Sequence, residues 1–261
     1  MSPFIQVKDL SFTLSGNPIL KQICIEAAQG EYISIIGPNG AGKSTLIKCL
    51  AGIHRGWTGS IQLNKRTFSD YTPRELAKLQ SYVPQAEGRS TPLTIEEFVM
   101  LGRYPHLSAF STLKSTDYTA INKAIALAEL DSFRHRKLNT LSGGERQMTF
   151  IAAALAQESK LLLLDEPSTF LDYRHKANVA NLLKKACRET GVTVLAVHHD
   201  INTAIASSDR IYALKNASIA FSGTAEEIAD SKKLEQLYGT EFQCTSSPGQ
   251  ALPIITTGGS L

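Results

Sequence analysis

The chain lacks a long hydrophobic run. None of its 261 residues lies in an uninterrupted apolar stretch of about eighteen residues, near the minimum for a helix that crosses a bilayer. The first residues, Met-Ser-Pro-Phe-Ile-Gln-Val, also lack the basic and long apolar regions of a secretory signal peptide. The sequence therefore predicts a cytosolic protein without a membrane span.

Cysteine is scarce, and metal-ligand patterns are missing. The four cysteines are scattered along the chain without a C-x-x-C pair, and the six histidines show no spacing typical of metal ligands. This pattern favours a reducing compartment and argues against a structural zinc site.

Charge of one sign is not in large excess. The chain has 27 lysines and arginines against 24 aspartates and glutamates, which gives a net charge of +3, and no basic run is present. Proteins that bind nucleic acid need a basic surface to neutralise phosphates, so we predict no nucleic-acid partner. The length suits one large α/β domain or two small ones, with a core of normal size.

One segment carries a strong ligand signal. Residues 37–45, Gly-Pro-Asn-Gly-Ala-Gly-Lys-Ser-Thr, fit the phosphate-binding pattern G-x-x-x-x-G-K-[ST]. A strand-like run precedes the segment, and apolar residues at helical spacing follow it. Glycines let backbone N–H groups turn toward an anion, and a helix starting near Lys43 adds its dipole. Lys43 is predicted to reach the β- and γ-phosphates, and Ser44 to ligate Mg²⁺. The alternative is a glycine-rich turn with a surface lysine. The predicted nucleotide-binding residues here are Gly37, Pro38, Asn39, Gly40, Ala41, Gly42, Lys43, Ser44 and Thr45.

A second segment ends an apolar strand in two carboxylates. Residues 160–167 read Lys-Leu-Leu-Leu-Leu-Asp-Glu-Pro. Next to a phosphate-binding loop, Asp165 is expected to hold Mg²⁺ largely through its water shell. Glu166 is expected to act as the base that orients the attacking water. The alternative for such a pair is a solvated turn.

A third segment, Leu141-Ser-Gly-Gly-Glu145, predicts a helix start. Ser142 and Glu145 have the spacing of a capping box. Two glycines before a helix also expose N–H groups at the positive end of its dipole, which makes a second phosphate-binding surface. This segment lies far along the chain from residues 37–45, with a helical stretch between them. We therefore expect that one nucleotide does not use both helix ends of the same chain.

The remaining pattern outlines an α/β chain. Helical periodicity runs through residues 94–135, and a tail rich in Thr, Ser, Gly and Pro begins at Gln243 and is expected to be loosely held. The predicted strands are Phe4–Val7, Ile23–Ala27, Glu31–Ile36, Ser60–Leu63, Leu161–Leu164, Val192–Val197, Ile211–Leu214 and Ser218–Phe221.

These segments, with Gln85, Leu171-Asp172 and His199-Asp200, resemble the nucleotide-binding subunit of ABC transporters in order, spacing and residue type. The resemblance covers about residues 4–240. It implies an α/β P-loop NTPase of the ABC ATPase fold, with a RecA-like core, an antiparallel β subdomain and a helical insertion at about 86–158. The single domain would span residues 1–243, followed by a tail, 244–261.

The resemblance also implies ATP and Mg²⁺ as cofactors and a head-to-tail homodimer. Each ATP would lie between residues 37–45 of one subunit and the Ser142-Gly-Gly144 loop of the other. Gln85 would contact Mg²⁺ and the attacking water, and Asp172 would lie at the dimer interface. His199 would sense the γ-phosphate, and the adjacent His198 would not have this role. The implied catalytic residues are Glu166, His199 and Gln85. The implied metal ligands are Ser44, Gln85 and Asp165, and the further nucleotide-binding residues are Ser142, Gly143, Gly144 and Asp172.

Two positions depart from the family pattern. Leu14, with Phe12 nearby, stands where an aromatic residue often stacks on adenine, so we expect adenine stacking to be weak or supplied differently. Ala217 stands where glycine is usual in the turn Lys215–Ser218, and alanine there must strain or change the turn type.

The segment Gly102-Arg-Tyr-Pro-His-Leu107, after Leu93–Phe98, resembles the ATPases of bacterial importers for iron–siderophores, haem and cobalamin. A helix end marked by Gly and Pro is the alternative. The resemblance implies the ATP-hydrolysing subunit of an iron-chelate importer on the cytoplasmic face of the membrane. Its partners would be permease subunits and, indirectly, a periplasmic or lipoprotein substrate-binding protein. The alternatives are a cobalamin or molybdate importer, a soluble ABC ATPase of translation or DNA repair, and a P-loop kinase.

Overall fold

The computed structural model describes residues 3–85, 91–108, 111–245 and 252–258. The chain forms two compact units. The first unit comprises Met1–Phe68 with Leu195–Leu261, and the second comprises Ser69–Val194. Among the helices of the described residues, none is both long and apolar enough to span a bilayer.

The strands and helices follow one another in mixed order along the chain. The strands are β1 (Ile5–Leu14), β2 (Asn17–Ala27), β3 (Tyr32–Ile36), β4 (Thr58–Leu63), β5 (Arg66–Thr67), β6 (Gln80–Val83), β7 (Leu161–Asp165), β8 (Thr193–Val197), β9 (Arg210–Lys215), β10 (Ser218–Gly223), β11 (Phe242–Thr245) and β12 (Ile254–Thr257). The helices are α1 (Lys43–Leu50), α2 (Pro73–Leu79), α3 (Ile95–Leu101), α4 (Ser115–Leu127), α5 (Gly143–Ala156), α6 (Tyr173–Thr190), α7 (Ile201–Ser207), α8 (Ala225–Ile228) and α9 (Ser231–Tyr238). Short 3₁₀ turns lie at Phe68–Asp70, Tyr104–His106, Asp131–Phe133 and Leu138–Thr140.

The first unit contains an antiparallel sheet in the order β2-β1-β4-β5. Strands β1 and β2 are longer than the sequence pattern predicts. Asp9 and Gln22 have positive φ angles of 52° and 48°, and the register of β1 against β2 shifts between Val7 and Leu10. Bulges of this kind break the alternation of apolar and polar residues on which the prediction depends.

The same unit contains strands β10, β9 and β3 in that order. Strand β3, with all five residues buried, pairs in parallel with β9, and β9 pairs antiparallel with β10. The β9–β10 turn places Asn216 and Ala217 at φ angles of 49° and 70°. Two consecutive positive φ angles are typical of a type I′ hairpin turn, so the alanine accepts strain rather than changing the turn type.

In the second unit, β6 pairs in parallel with β7, whose five residues are all buried. The sequence does not predict β6, because its first residues are polar. Gln80 and Ser81 are nonetheless buried, and Ser81 Oγ lies 2.8 Å from Ser159 Oγ. A side-chain hydrogen bond thus satisfies a polar residue in a core strand.

Helices α3, α4 and α5 lie within the predicted helical insertion. Residues 86–90, where that insertion is predicted to begin, fall outside the described residues. The boundaries 1–243, 86–158 and 244–261 stay predictions.

The C-terminal segment is more ordered than the sequence pattern indicates. Strand β11 pairs antiparallel with β12, and Asn202 on α7 binds the backbone of β12. Asn202 Nδ2 donates to Ile255 O, and Ile255 N–H donates to Asn202 Oδ1, both at 2.8 Å. The expectation of a loosely held tail is wrong for these strands, because long-range pairing orders residues whose composition is typical of loops. Residues 246–251 and 259–261 of the tail lie outside the described part.

Candidate active site

The predicted phosphate-binding loop connects β3 to α1 in the first unit. At two positions of this loop only glycine fits, because a side chain would collide with nearby backbone and because the φ angle is positive. Gly37 has φ 144°, and an added Cβ would overlap the carbonyl oxygen of Leu214; Gly42 has φ 104°, and its Cβ would lie 2.7 Å from Ile19 O. The backbone can make this turn only because both positions lack a side chain.

The loop wraps around the ammonium group of Lys43. The residue is 5% exposed, and its Nζ donates to Gly37 O at 2.8 Å and to Pro38 O at 3.0 Å. Ser44 is half-buried in the first turn of α1, while Asn39 and Gly40 are exposed at the tip of the loop. The segment thus gathers a buried positive charge, a helix N-terminus and a hydroxyl, which is the chemistry of a triphosphate site.

In the second unit, β7 ends in the two predicted carboxylates. Asp165 and Glu166 are 3% and 8% exposed, and Glu166 has a φ angle of 54°. A bulky residue in the left-handed region carries strain, and such strain is concentrated at functional sites.

The structure brings Glu166 and Gln85 together, although 81 positions separate them in the sequence. Gln85 Nε2 donates to Glu166 Oε2 at 2.9 Å. Thr169 Oγ1 donates to the same oxygen at 3.0 Å. Two neutral donors therefore orient one carboxylate oxygen. Thr169 is not predictable from the sequence, because a hydroxyl three residues after a carboxylate carries no pattern of its own.

The third predicted segment forms the N-terminus of α5. Ser142 caps the helix, and the capping box with Glu145 is confirmed: Ser142 N–H donates to Glu145 Oε2 at 2.7 Å, and Glu145 N–H to Ser142 Oγ at 3.2 Å. Burial acts to raise the pKa of the Glu145 carboxyl, but hydrogen bonds from Ser142 and the charge of Arg136 hold that pKa below its usual value. Ser142 and Gly143 are exposed. The Ser142 N–H is engaged by Glu145, so an anion would meet this helix end through the Ser142 hydroxyl and the amides of the first turn of α5.

Asp172 caps α6 in the same unit. Its Oδ1 accepts from the backbone N–H and from Nδ1 of His175, both at 2.8 Å. The hydrogen bonds from His175, first from its backbone and then from its ring, hold the pKa of the Asp172 carboxyl below its usual value. Leu171 Cδ2 lies 3.8 Å from the point where Gly143 would carry a Cβ. Leu171, the residue before the predicted interface residue Asp172, therefore lies against the serine–glycine loop, Ser142-Gly-Gly144.

The two adjacent histidines differ in environment. His198 is 2% exposed, and its Nε2 lies 3.2 Å from the hydroxyl of Tyr32. Burial lowers the pKa of His198 to about 4, against an opposing effect of Asp200. His199 is exposed after β8, just before the N-cap of α7 at Asp200. An uncharged, buried His198 leaves His199 as the histidine that can reach a ligand.

At the predicted adenine position, Leu14 and Phe12 differ in exposure. Leu14 is 49% exposed. The ring of Phe12 is buried and stacks on His54, with centroids 5.3 Å apart and an interplanar angle of 17°. Phe12 is therefore engaged within the first unit.

The second unit contains an apolar cavity of about 450 Å³ next to Gln85. Phe98 and Phe150 form part of its wall, with ring centroids 5.2 Å apart, and Leu101 on its rim is 57% exposed. An exposed leucine beside an open apolar cavity is a feature of contact surfaces.

The segment 102–107, next to this cavity, has polar residues that stabilise the unit itself. Buried Arg103 donates from Nε to Asp117 at 2.9 Å and from Nη1 to Glu158 at 2.8 Å. His106 Nε2 lies 2.8 Å from Gln157 O. Tyr104, in contrast, is 80% exposed. Arg103 and His106 hold the segment in place, while Tyr104 faces outward.

Comparison with known proteins agrees with these observations. The sequence profile of the ABC transporter family matches residues 20–169. The iron(3+)-hydroxamate import ATP-binding protein FhuC of Bacillus subtilis (strain 168) is 34% identical, over 97% of this chain and 94% of its own length. The ferric enterobactin transport ATP-binding protein FepC of Escherichia coli (strain K12) is 33% identical, over 91% and 88%. The hemin import ATP-binding protein HmuV of Rhodopseudomonas palustris (strain BisB18) is 36% identical, over 91% and 89%.

Solved structures give the same result. A metal-chelate type ABC transporter in an inward-facing conformation superposes with a TM-score of 0.85 at 27% identity, over 99% of this chain and 98% of that chain. The dimeric bacterial cassette MJ0796 superposes with a TM-score of 0.72 at 28% identity, over 85% and 99%. The fold class predicted from the sequence is confirmed. Motifs, fold and sequence similarity agree that this chain belongs to the ABC transporter family and has the fold of its ATP-hydrolysing cassettes.

Proposed function

We propose that this chain is the ATP-hydrolysing subunit of a bacterial importer that takes up an iron chelate, a siderophore or haem complex, through separate permease subunits. The assignment of ATP hydrolysis is based on the hydrogen bond between Gln85 and Glu166 at the end of β7. The assignment of the cargo is based on relatives at 33–36% identity. Their names describe import of iron(3+)-hydroxamate, ferric enterobactin and hemin.

Nucleotide binding is assigned to residues 37–45, with Lys43 as the main charge. Its ammonium group would leave the carbonyl oxygens of Gly37 and Pro38 for the β- and γ-phosphates, which are stronger acceptors because they are charged. The backbone amides at the start of α1 would hold the same phosphates.

Mg²⁺ fits the donor atoms that the chain offers. The hydroxyl of Ser44, the amide oxygen of Gln85 and the carboxylate of Asp165 are the oxygen ligands that this ion prefers. Mg²⁺ usually keeps several waters and phosphate oxygens among its ligands, so few protein ligands are needed. When bound, Mg²⁺ neutralises charge that develops on the transferred phosphoryl group.

Glu166 is assigned as the base. Its carboxylate is nearly buried, and the hydrogen bonds from Gln85 and Thr169 to Oε2 fix its orientation. A water bound to the other oxygen would be aligned for in-line attack, and Glu166 would accept its proton. His199 would donate a hydrogen bond to the γ-phosphate.

We further propose that the working form is a head-to-tail homodimer. The Ser142 hydroxyl and the Gly143 N–H, with Gly144 behind them, would bind the γ-phosphate of a nucleotide held by the partner. Asp172 would lie at the interface between the two subunits. The dimeric MJ0796 cassette supports this assembly for a chain of the same fold. Residues 1–243 are proposed to form one ATPase domain, with the helical insertion at about 86–158 and a tail from 244.

The permease is proposed to insert a short segment into the cavity beside Gln85. Phe98, Leu101 and Phe150 would hold its apolar side chains, and Tyr104 would contact its flank. Because Gln85 both lines this cavity and binds Glu166, an occupant there would act on the base through one side chain. The chain would therefore work at the cytoplasmic face of the membrane. A periplasmic or lipoprotein substrate-binding protein would supply the cargo from the other side.

Uptake into proteoliposomes tests this function. The chain is reconstituted with its cognate permease and binding protein, with ATP inside, and supplied with a ferric siderophore, haem or cobalamin. We expect ATP-dependent accumulation of an iron chelate, and none with Lys43→Ala. Transport of cobalamin but no iron chelate would overturn the cargo assignment, and salt-sensitive binding of RNA or DNA would favour a soluble ATPase instead.

A further inference from the structure

Gly144 is buried against a side chain of its own unit. A Cβ at this position would overlap Cγ and Cδ2 of the His175 ring and lie 2.6 Å from its Nε2. Gly144 is not in the left-handed region, so space rather than backbone conformation makes glycine necessary here. The second glycine of the serine–glycine loop therefore rests directly on an imidazole ring.

Asp172 holds that ring in place. Its Oδ1 accepts from both the backbone N–H and the Nδ1 of His175, each at 2.8 Å, so the carboxylate fixes the start of α6 and the ring together. The His175 side chain keeps 30% of its surface exposed. Leu171, one residue before Asp172, approaches the other glycine, Gly143. Residues 171–175 thus form a support beneath the serine–glycine loop.

We propose that His175 is a positioning residue for ATP hydrolysis. It links Asp172 at the dimer seam to the Ser142-Gly-Gly144 loop, and it sets the direction in which the amides of that loop point. This inference rests on the proposed function, in which the loop binds the partner's nucleotide. Preorganised donors stabilise charge only when they are aimed at it, and a shift of about 1 Å can cost up to about a hundredfold in rate. If Asp172 moved when the dimer closes, the His175 ring would move with it and would shift Gly144.

The first test compares three variants, each also made in the Glu166→Gln background. His175→Ala removes both contacts. His175→Asn keeps a donor nitrogen in place of Nδ1 and an atom in place of Cδ2, so it is the conservative replacement. His135→Ala is the control, because His135 lies in the same unit with a side chain 80% exposed.

We expect His175→Ala to lower kcat and to raise the ATP concentration for half-maximal dimerisation, each about tenfold. Nucleotide affinity of the monomer is expected to change less than about twofold, because that affinity belongs to residues 37–45. His175→Asn should recover most of both losses, and His135→Ala should behave as the wild type.

The second test asks whether the ring is what excludes a side chain at position 144. Gly144→Ala should impair ATP-dependent dimerisation, and adding His175→Ala should restore part of it, because the methyl group then has room. Equal dimerisation of His175→Ala and the wild type, or no gain in the double variant, would overturn the inference alone. Failure of Glu166→Gln with intact His175 to dimerise under saturating Mg-ATP would overturn the proposed function and this inference with it.

Discussion

The amide nitrogen of Gln85 lies 2.9 Å from Glu166 Oε2, and the same glutamine lines the apolar cavity of the second unit. One side chain therefore connects a surface suited to a protein partner with the carboxylate assigned as the base. Since the hydrogen bond holds the direction of the carboxylate, we expect a shift of the residues around the cavity to change the geometry at the proposed base. If the proposed function holds, this one contact is enough to couple partner binding to hydrolysis.

Replacing Glu166 by Gln should separate ATP binding from hydrolysis. The amide has the shape of the carboxylate but cannot accept the proton of the attacking water, so we expect kcat to fall by about a hundredfold to ten-thousandfold. Nucleotide affinity should stay near that of the wild type, and the ATP-bound dimer should accumulate. Phosphate release and sedimentation of the Mg-ATP-saturated protein measure both effects. Hydrolysis at near the wild-type rate would show that Glu166 is not the base.

Thr169 should matter through its hydroxyl. In Thr169→Val the donor to Glu166 Oε2 is lost while the volume is kept, so the carboxylate retains only Gln85 of the two donors found here. A hydrogen bond to a charged group contributes about 1.5–3 kcal/mol, so we expect kcat to fall by roughly tenfold or more at unchanged nucleotide affinity.

Thr169→Ser supplies the matched control, because it keeps the hydroxyl and loses only a methyl group. Its kcat should stay within a few-fold of the wild type. If the valine variant hydrolyses ATP as fast as the serine variant, the hydrogen bond to Glu166 has no role in catalysis.

The fold and the site differ in how far local sequence determines them. Residues 37–45 were predictable because one contiguous run holds the glycines, the lysine and the hydroxyl that the loop needs. The full length of β1 was not predictable, because the bulge at Asp9 interrupts the alternation of apolar and polar residues. The existence of β6 was not predictable either, because the buried polar pair of Ser81 and Ser159 hides the pattern of a buried strand. Contacts such as His175 with Gly144 depend on pairing of distant segments, which no short pattern records.

Replacing Lys43 by Ala should weaken nucleotide binding itself. The ammonium group is buried and is the assigned contact to the β- and γ-phosphates, so its loss removes charge-assisted hydrogen bonds. We expect a cost on the order of 2–4 kcal/mol, or roughly thirtyfold to a thousandfold in Kd, measured by titration with a fluorescent ATP analogue. Lys48→Ala, later in α1, is the control for loss of positive charge. Equal affinities of the two variants would contradict the assignment.

His198 should make the first unit less stable as the pH falls. Burial lowers its folded-state pKa to about 4, below an unfolded value of 6.5, so the unfolded chain binds a proton first. The stabilising effect of a neutral His198 is complete above pH 6.5 and is lost progressively toward pH 4. Between pH 7 and pH 5 the expected loss is about 2 kcal/mol of unfolding free energy.

Urea unfolding of the wild type and of His198→Leu at those two pH values measures this loss. The leucine variant has no group that titrates at this position, so its stability should fall less between pH 7 and pH 5, by about the amount assigned to His198. If His198→Leu and the wild type lose the same free energy on acidification, the buried histidine does not titrate on unfolding in this range, and another group must account for the acid sensitivity.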